Sequence, residues 1–260
     1  MNRSFRLVLL LFFLIGCKSA VVIPNSGPEV GQVGLDIYLL IGQSNMAGRA
    51  EIEMQDQDSL KGVFLFTGIE GKEWEKAANP LNKYSTIRKK LSMQKLGPGY
   101  SFAQKMIENN AGKQIGLVVN AKGGTNISSW AKGTDYYNEA VKQTKAALKF
   151  GTLKGIAWHQ GEGDASKYES YTPKVIALIE AFREEFNNPD LPVVVGQLSE
   201  DKEVRIDFNQ MIIQLPKKID RVAVATSENT STIDSTHFDS QSQRLMGERY
   251  AEEMLKLLKN

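Results

Sequence analysis

Six short apolar runs recur between helix-like segments, and this alternation limits the folds open to the chain. "DIYLLI" (36–41), "VFLF" (63–66), "IGLVVN" (115–120), "GIAWHQ" (155–160), "LPVVVGQL" (191–198) and "RVAVATS" (221–227) are nearly continuous in apolar residues. Strands of that kind are buried on both faces, and strands separated by helices form parallel β-α-β units. Helical spacing marks 100–110, 136–150, 171–186, a stretch at 204–219 broken near Pro216, and 240–259. Thr172 and Pro173 read as the cap and first residue of the third of these. The pattern predicts one doubly wound α/β domain over 35–260 with about five parallel strands. Its site belongs at the carboxyl ends of those strands. Segments 49–62 and 67–98 read as loops above the sheet, where substrate contacts usually gather.

Residues 1–34 stand apart. Arg3 and Arg6 precede "LVLLLFFLI" (7–15), a run too short to span a bilayer comfortably and suited to an export signal. It ends in "LIGC" (14–17), which resembles a bacterial lipoprotein processing box. That resemblance implies a signal peptide over 1–16, cleavage before Cys17, and lipid on the new N-terminus. The expected location is an exported domain tethered to a membrane by the lipid alone. Residues 17–34, with Pro24, Gly27, Pro28 and Gly31, read as a spacer. Cys17 is the one cysteine, so an internal disulfide and a cysteine metal cluster are both excluded. The net charge of +2, with no long block of like charge, gives no footprint for nucleic acid. Oligomeric state is not legible.

Four strand ends carry polar groups. The first strand is followed by Gly42, Gln43, Ser44 and Asn45. The strand at 115–120 leads to "AKGGTNISSW", with Gly123, Gly124, Asn126 and Trp130. The strand at 155–160 leads to "QGEGD", and the last strand to "ENTSTIDSTHF". Serine needs a base to become a nucleophile, and the chain has two histidines, His159 and His237. Asp234 precedes His237 by three residues, a spacing that lets its carboxylate reach Nδ1 and leave Nε2 for Ser44. Backbone N–H groups of Ser44 and of Gly123 or Gly124, and the Gln160 amide, are candidate donors to an oxyanion. His159, in an apolar strand beside Trp158, reads as a hydrogen-bonded core histidine. Glu162 and Asp164 read as loop carboxylates.

"IGQSNMAG", "GGTNISSW", "WHQGEGD" and "DSTHF" resemble the sequence blocks of the SGNH-hydrolase superfamily. Within it they resemble the sialate O-acetylesterase and acetylxylan esterase branch, carbohydrate esterase family 6 and its relatives. "EWEKAANPL" (73–81) and "GPGYSFAQKM" (97–106) agree. The resemblance implies a flavodoxin-like three-layer α/β/α sandwich and a Ser44–His237–Asp234 triad. It implies an oxyanion hole from Ser44, Gly124 and Gln160, and release of acetate from acetylated sugars without metal or organic cofactor. Gln43, Asn126, Trp130 and Trp74 are the candidate substrate contacts. Two positions depart from the family: Gly163, where Ser or Asn is common, and Ser235, where Gly is common. The sugar is left open, with Arg49, Lys122 and Lys72 as possible partners for an acidic one. Another ester, or sugar binding without catalysis, stays open as well.

Overall fold

The computed structural model describes residues 34–259. The expected signal peptide, the expected lipidation site at Cys17 and all of the expected spacer but Gly34 lie outside the described residues. Seven strands form one sheet: β1 (Leu35–Gly42), β2 (Val63–Ile69), β3 (Lys72–Lys76), β4 (Ile115–Ala121), β5 (Gly151–His159), β6 (Val193–Gly196) and β7 (Val222–Ala225). Their order is β3-β2-β4-β1-β5-β6-β7. Six are parallel, one more than the expected number, and β3 runs antiparallel to β2 at the edge. The edge strand falls inside a segment expected to be loop. "KEWEK" has one apolar residue, Trp74, and only that residue is buried, so no apolar run announces it.

The helices are α1 (Ser44–Ala47), α2 (Gly99–Glu108), α3 (Asp135–Ala147), α4 (Tyr171–Glu185), α5 (Glu203–Ile212) and α6 (Ser240–Lys259). Side chains of β1 alternate between two cores. Leu35, Ile37, Leu39 and Ile41 pack with Val141 of α3, Phe182 of α4 and Phe208 of α5. Tyr38 and Leu40 pack with Phe102 and Met106 of α2 and with Met246 and Met254 of α6. This period of two, on a strand buried on both faces, is what makes the three-layer sandwich. The start of α4 differs from expectation: Tyr171 opens it after Ser170. The Thr172 hydroxyl turns to Met211 Sδ instead of capping. Among the described residues, no helix is long and apolar enough to cross a membrane.

The chain steps from β1 outward to β2, returns to β4, and then builds β5, β6 and β7 on the other side. The sense of winding reverses at β1, so its carboxyl end opens a crevice between the loops after β4 and β5. The packing of α2 on α6 closes one side of the fold through Gly247. A Cβ there would lie 2.2 Å from both Pro98 O and Ser101 Oγ. The backbone oxygen cannot swing away, so Gly247→Val should destabilise the protein by about 2–3 kcal/mol. Urea unfolding monitored by circular dichroism checks this, and an unchanged midpoint would contradict it.

Candidate active site

Gly42 makes the exit from β1 possible. Its φ is +134°, and a Cβ would sit 2.1 Å from His159 O on the neighbouring strand. Gln43 N–H donates to that same carbonyl at 2.8 Å, holding the turn against β5. Ser44 then opens the four-residue α1, so its N–H has no intrahelical acceptor.

The loop after β7 supplies the partners of Ser44. His237 Nε2 lies 3.0 Å from Ser44 Oγ, and His237 Nδ1 lies 2.7 Å from Asp234 Oδ2. Asp234 Oδ1 also accepts the N–H groups of Thr236 (3.1 Å) and His237 (2.8 Å). Burial raises the Asp234 carboxyl, but the hydrogen bonds from the His237 ring and backbone outweigh it and hold the group below its usual value. With a carboxylate on Nδ1–H, the imidazole turns its Nε2 lone pair toward the serine hydroxyl. Ser235 adopts φ +57°, the left-handed region, which explains why glycine suits that position in the resembling family.

Two side chains fix this loop. Asn45, beside the serine, donates from Nδ2 to Thr236 O (3.1 Å) and accepts at Oδ1 from Phe238 N–H (3.1 Å). Arg205 of α5 donates to Ser235 O (2.9 Å), Thr236 Oγ1 (3.0 Å) and Ser199 Oγ (2.7 Å). Neither stood out in the sequence as a site residue. Asn45 lies inside the "QSN" motif, but Arg205 sits on an ordinary amphipathic helix and carries no local signal.

Ser44, His237, Gly123, Gly124, Asn126 and Gln43 share a cleft of about 530 Å³. Gly124 adopts φ +74°, and its N–H has no backbone acceptor among the described residues. Asn126 accepts Ser129 N–H on Oδ1 at 3.1 Å, which leaves its Nδ2 for the cleft. Gln160, expected as a third oxyanion donor, has another task. It is fully buried, and Nε2 donates to Gln43 Oε1 (3.2 Å), Thr125 O (3.1 Å) and Asp164 Oδ2 (2.6 Å). Two hydrogens shared among three acceptors leave nothing for an oxyanion, so Gln160 ties the floor together. Asp164 also accepts Ile127 N–H at 2.9 Å, so it braces the loop after β4. Gly163 lines the cleft, and a Cβ there would lie 2.8 Å from Thr125 O. A Ser or Asn at that position would require the loop to move.

The two tryptophans expected as sugar contacts are core residues. Trp130 is fully buried, donates to Thr125 Oγ1 at 3.1 Å and meets Trp158 edge to face. Trp74 packs on Phe66 and Phe150 and reaches over Gly116, near the amino end of β4. Aromatic residues fill parallel-sheet cores as readily as they line clefts, and sequence does not separate the two uses.

The cleft is cationic. Arg49, Lys89, Lys202 and Arg205 line it, and Glu162 is the one carboxylate among its lining residues. Arg49 donates to Gly48 O (2.6 Å) and Met93 O (3.0 Å), and no carboxylate pairs with it among the described residues. Burial lowers its guanidinium from the ordinary arginine value. Gly123 gives Arg49 its place, since a Cβ there would be 2.6 Å from Nη2 and 3.3 Å from the Ser44 Cβ. Lys89 Nζ comes within 3.3 Å of where a Cβ of Gly124 would be. Of the cations considered from sequence, Arg49 is at the site. Lys122 instead lies over the Tyr136 ring, and Lys72 pairs with Glu75 on the edge hairpin. Among the described residues, no group of three or more His, Cys, Asp or Glu side chains is placed to hold a metal ion.

Comparison with known proteins places the chain in a family. The family model for carbohydrate esterases described as sialic acid-specific acetylesterases matches residues 34–256. A probable carbohydrate esterase of Arabidopsis thaliana is 32% identical over 178 residues, 61% of this chain and 66% of that protein. The match thus spans just under two thirds of that relative's length. The X-ray structure of the Arabidopsis protein superposes with a TM-score of 0.77 at 26% identity, covering 86% of this chain and 98% of the other. NanS superposes at 0.68 with 16% identity over 87% and 99% of the two chains. A carbohydrate acetylesterase from Xanthomonas citri superposes at 0.64 with 20% identity over 86% and 57%. These last two likenesses establish the fold alone. The family match runs over almost the whole described chain and contains every residue of the cleft. The chain belongs to the carbohydrate esterase family of sialic acid-specific acetylesterases.

Proposed function

We propose that the protein is a serine O-acetylesterase acting on an acetylated sugar that bears an acidic group. The observation that carries this reading is the continuous line of contacts from Asp234 through His237 to Ser44 Oγ. Ser44 Oγ attacks the acetyl carbonyl carbon while His237 Nε2 takes the hydroxyl proton. The oxyanion is met by the Ser44 and Gly124 N–H groups, with Asn126 Nδ2 as the side-chain donor facing the same cleft. His237 passes its proton to the departing sugar oxygen, leaving an acetyl ester on Ser44. Water, deprotonated by His237, attacks that ester; the bond to Ser44 Oγ breaks, His237 returns the proton to that oxygen, and acetate leaves. Gln160, fully committed to the floor, takes no part in these steps.

The cationic lining favours an acidic sugar over a neutral one of the xylan type. Arg49 and Lys89 flank the serine and Gly124 with no carboxylate partner among the described residues, so a substrate carboxylate would give them one. Membership of a family described as sialic acid-specific points the same way.

Acetate release tests both parts. Ser44→Ala should lower kcat on p-nitrophenyl acetate by on the order of 10⁴-fold or more, and His237→Ala by on the order of 10³-fold. His159→Ala should act on stability instead. Equal rates for wild type and Ser44→Ala would overturn the esterase reading. Arg49→Ala and Lys89→Ala should each raise KM for an O-acetylated sialic acid by roughly five- to tenfold, the worth of a partly exposed ion pair of about 1 kcal/mol. For acetylated xylan the same variants should change KM by less than about twofold. Equal effects on the two substrates would overturn the acidic-sugar assignment.

A further inference from the structure

Glu162 has no part in the steps above, yet it lies beneath them. Its side chain is 4% exposed. Oε1 accepts Asn45 Nδ2–H at 2.6 Å, whereas Oε2 is buried with no hydrogen-bond partner among the described residues. A buried carboxyl held by a single side-chain donor is costly, which asks what that one bond does.

The neighbouring groups do not neutralise it. His159 Nε2 is 3.8 Å from Oε1, beyond hydrogen-bond reach. The Tyr250 hydroxyl gives its hydrogen to Trp158 O (3.0 Å) and so accepts from His159 Nδ1–H (2.8 Å). His159 therefore turns a bare lone pair, not a proton, toward Glu162. Burial holds His159 neutral, down to about 3. Arg205 of α5 is the cation facing the group, and its hydrogens go to the loop that carries His237. Tyr250 of α6 and Tyr171 of α4 face it as phenols, both raised well above the ordinary tyrosine value by burial.

The Asn45 side chain makes its other contacts at Thr236 O and Phe238 N–H, on either side of the base, and Oδ1 also accepts a longer bond from Gln243 Nε2 at 3.4 Å. One carboxamide next to the nucleophile thus holds the chain before and after His237, and Glu162 holds that carboxamide. We propose that Glu162 is a positioning residue of the esterase reaction: its carboxylate fixes Asn45, and through Asn45 sets His237 against Ser44. The proposal rests on Ser44 and His237 being nucleophile and base.

Burial pushes Glu162 up to about 7, against the pull of its own N–H, Asn45, Arg205 and Gly161 N–H. Below that value the group is a neutral acceptor. Above it the bond to Asn45 is charge-assisted, and such bonds are roughly twice as strong. Glu162→Gln keeps an acceptor oxygen and removes the charge. The ratio of kcat for wild type to kcat for Glu162→Gln on p-nitrophenyl acetate isolates that charge, because every other residue is common to both. The ratio should be near one at about pH 5.5 and rise to roughly five- to tenfold by about pH 8.5, with KM within about twofold. In an Asn45→Ala background it should stay near one throughout. A ratio that does not change with pH, as a merely structural role would give, overturns the proposal. So does an equal rise without Asn45. Full activity of Ser44→Ala, measured alongside, would instead overturn the esterase reading beneath it.

Discussion

The Ser44–His237 contact joins residues 193 positions apart and spans three strand spacings of the sheet. Ser44 leaves the central strand, whereas the loop that bears His237 leaves the edge strand β7. At about 4.8 Å per strand, that loop must travel back roughly 14 Å over β6 and β5. A loop that long has many conformations, and ordering it is opposed by chain entropy. Asn45 from the β1 side and Arg205 from α5 hold it at four backbone and side-chain atoms. Phe238 is fully buried under it, and Asp239 accepts Ser242 N–H at 2.8 Å in the first turn of α6.

The two histidines occupy opposite environments, and only one of them suits the proposed base. His159 ends β5, is 1% exposed, and is locked to Tyr250 by a hydrogen bond that fixes its tautomer. Desolvation keeps it uncharged. His237 is 24% exposed by side chain and bonded to a half-exposed carboxylate, so water and substrate can both reach it. A base must exchange protons with what enters the cleft, and only the second environment allows that. The same logic separates the amides. Gln160 has turned its donors into the floor, whereas Asn126 lines the cleft and has only its Oδ1 engaged, by Ser129.

The six parallel strands were legible because burial on both faces writes continuous apolar runs. The edge strand β3 was not, because one buried tryptophan among charged residues leaves no period to read. That Ser44, Gly124, Asp234 and His237 would come together was legible because local spacing and strand-end position report backbone geometry. The direction of a side chain is a tertiary matter, so Gln160, Trp74 and Trp130 were placed in the cleft by their type and belong to the floor or the core. Lys89, Lys202 and Arg205 escaped notice for the converse reason. Nothing near them in sequence shows that α5 or the 85–98 loop will meet the end of β1.

The central claim is that the returning loop activates Ser44. Labelling with an organophosphate ester tests it most directly, since the reagent reacts only with an activated serine. One phosphoryl group per chain on the peptide containing Ser44, formed on the order of 10³-fold more slowly in Asn45→Ala or His237→Ala, is the predicted result. Labelling of another serine, or labelling of Ser44 at the same rate in all three proteins, would contradict the account.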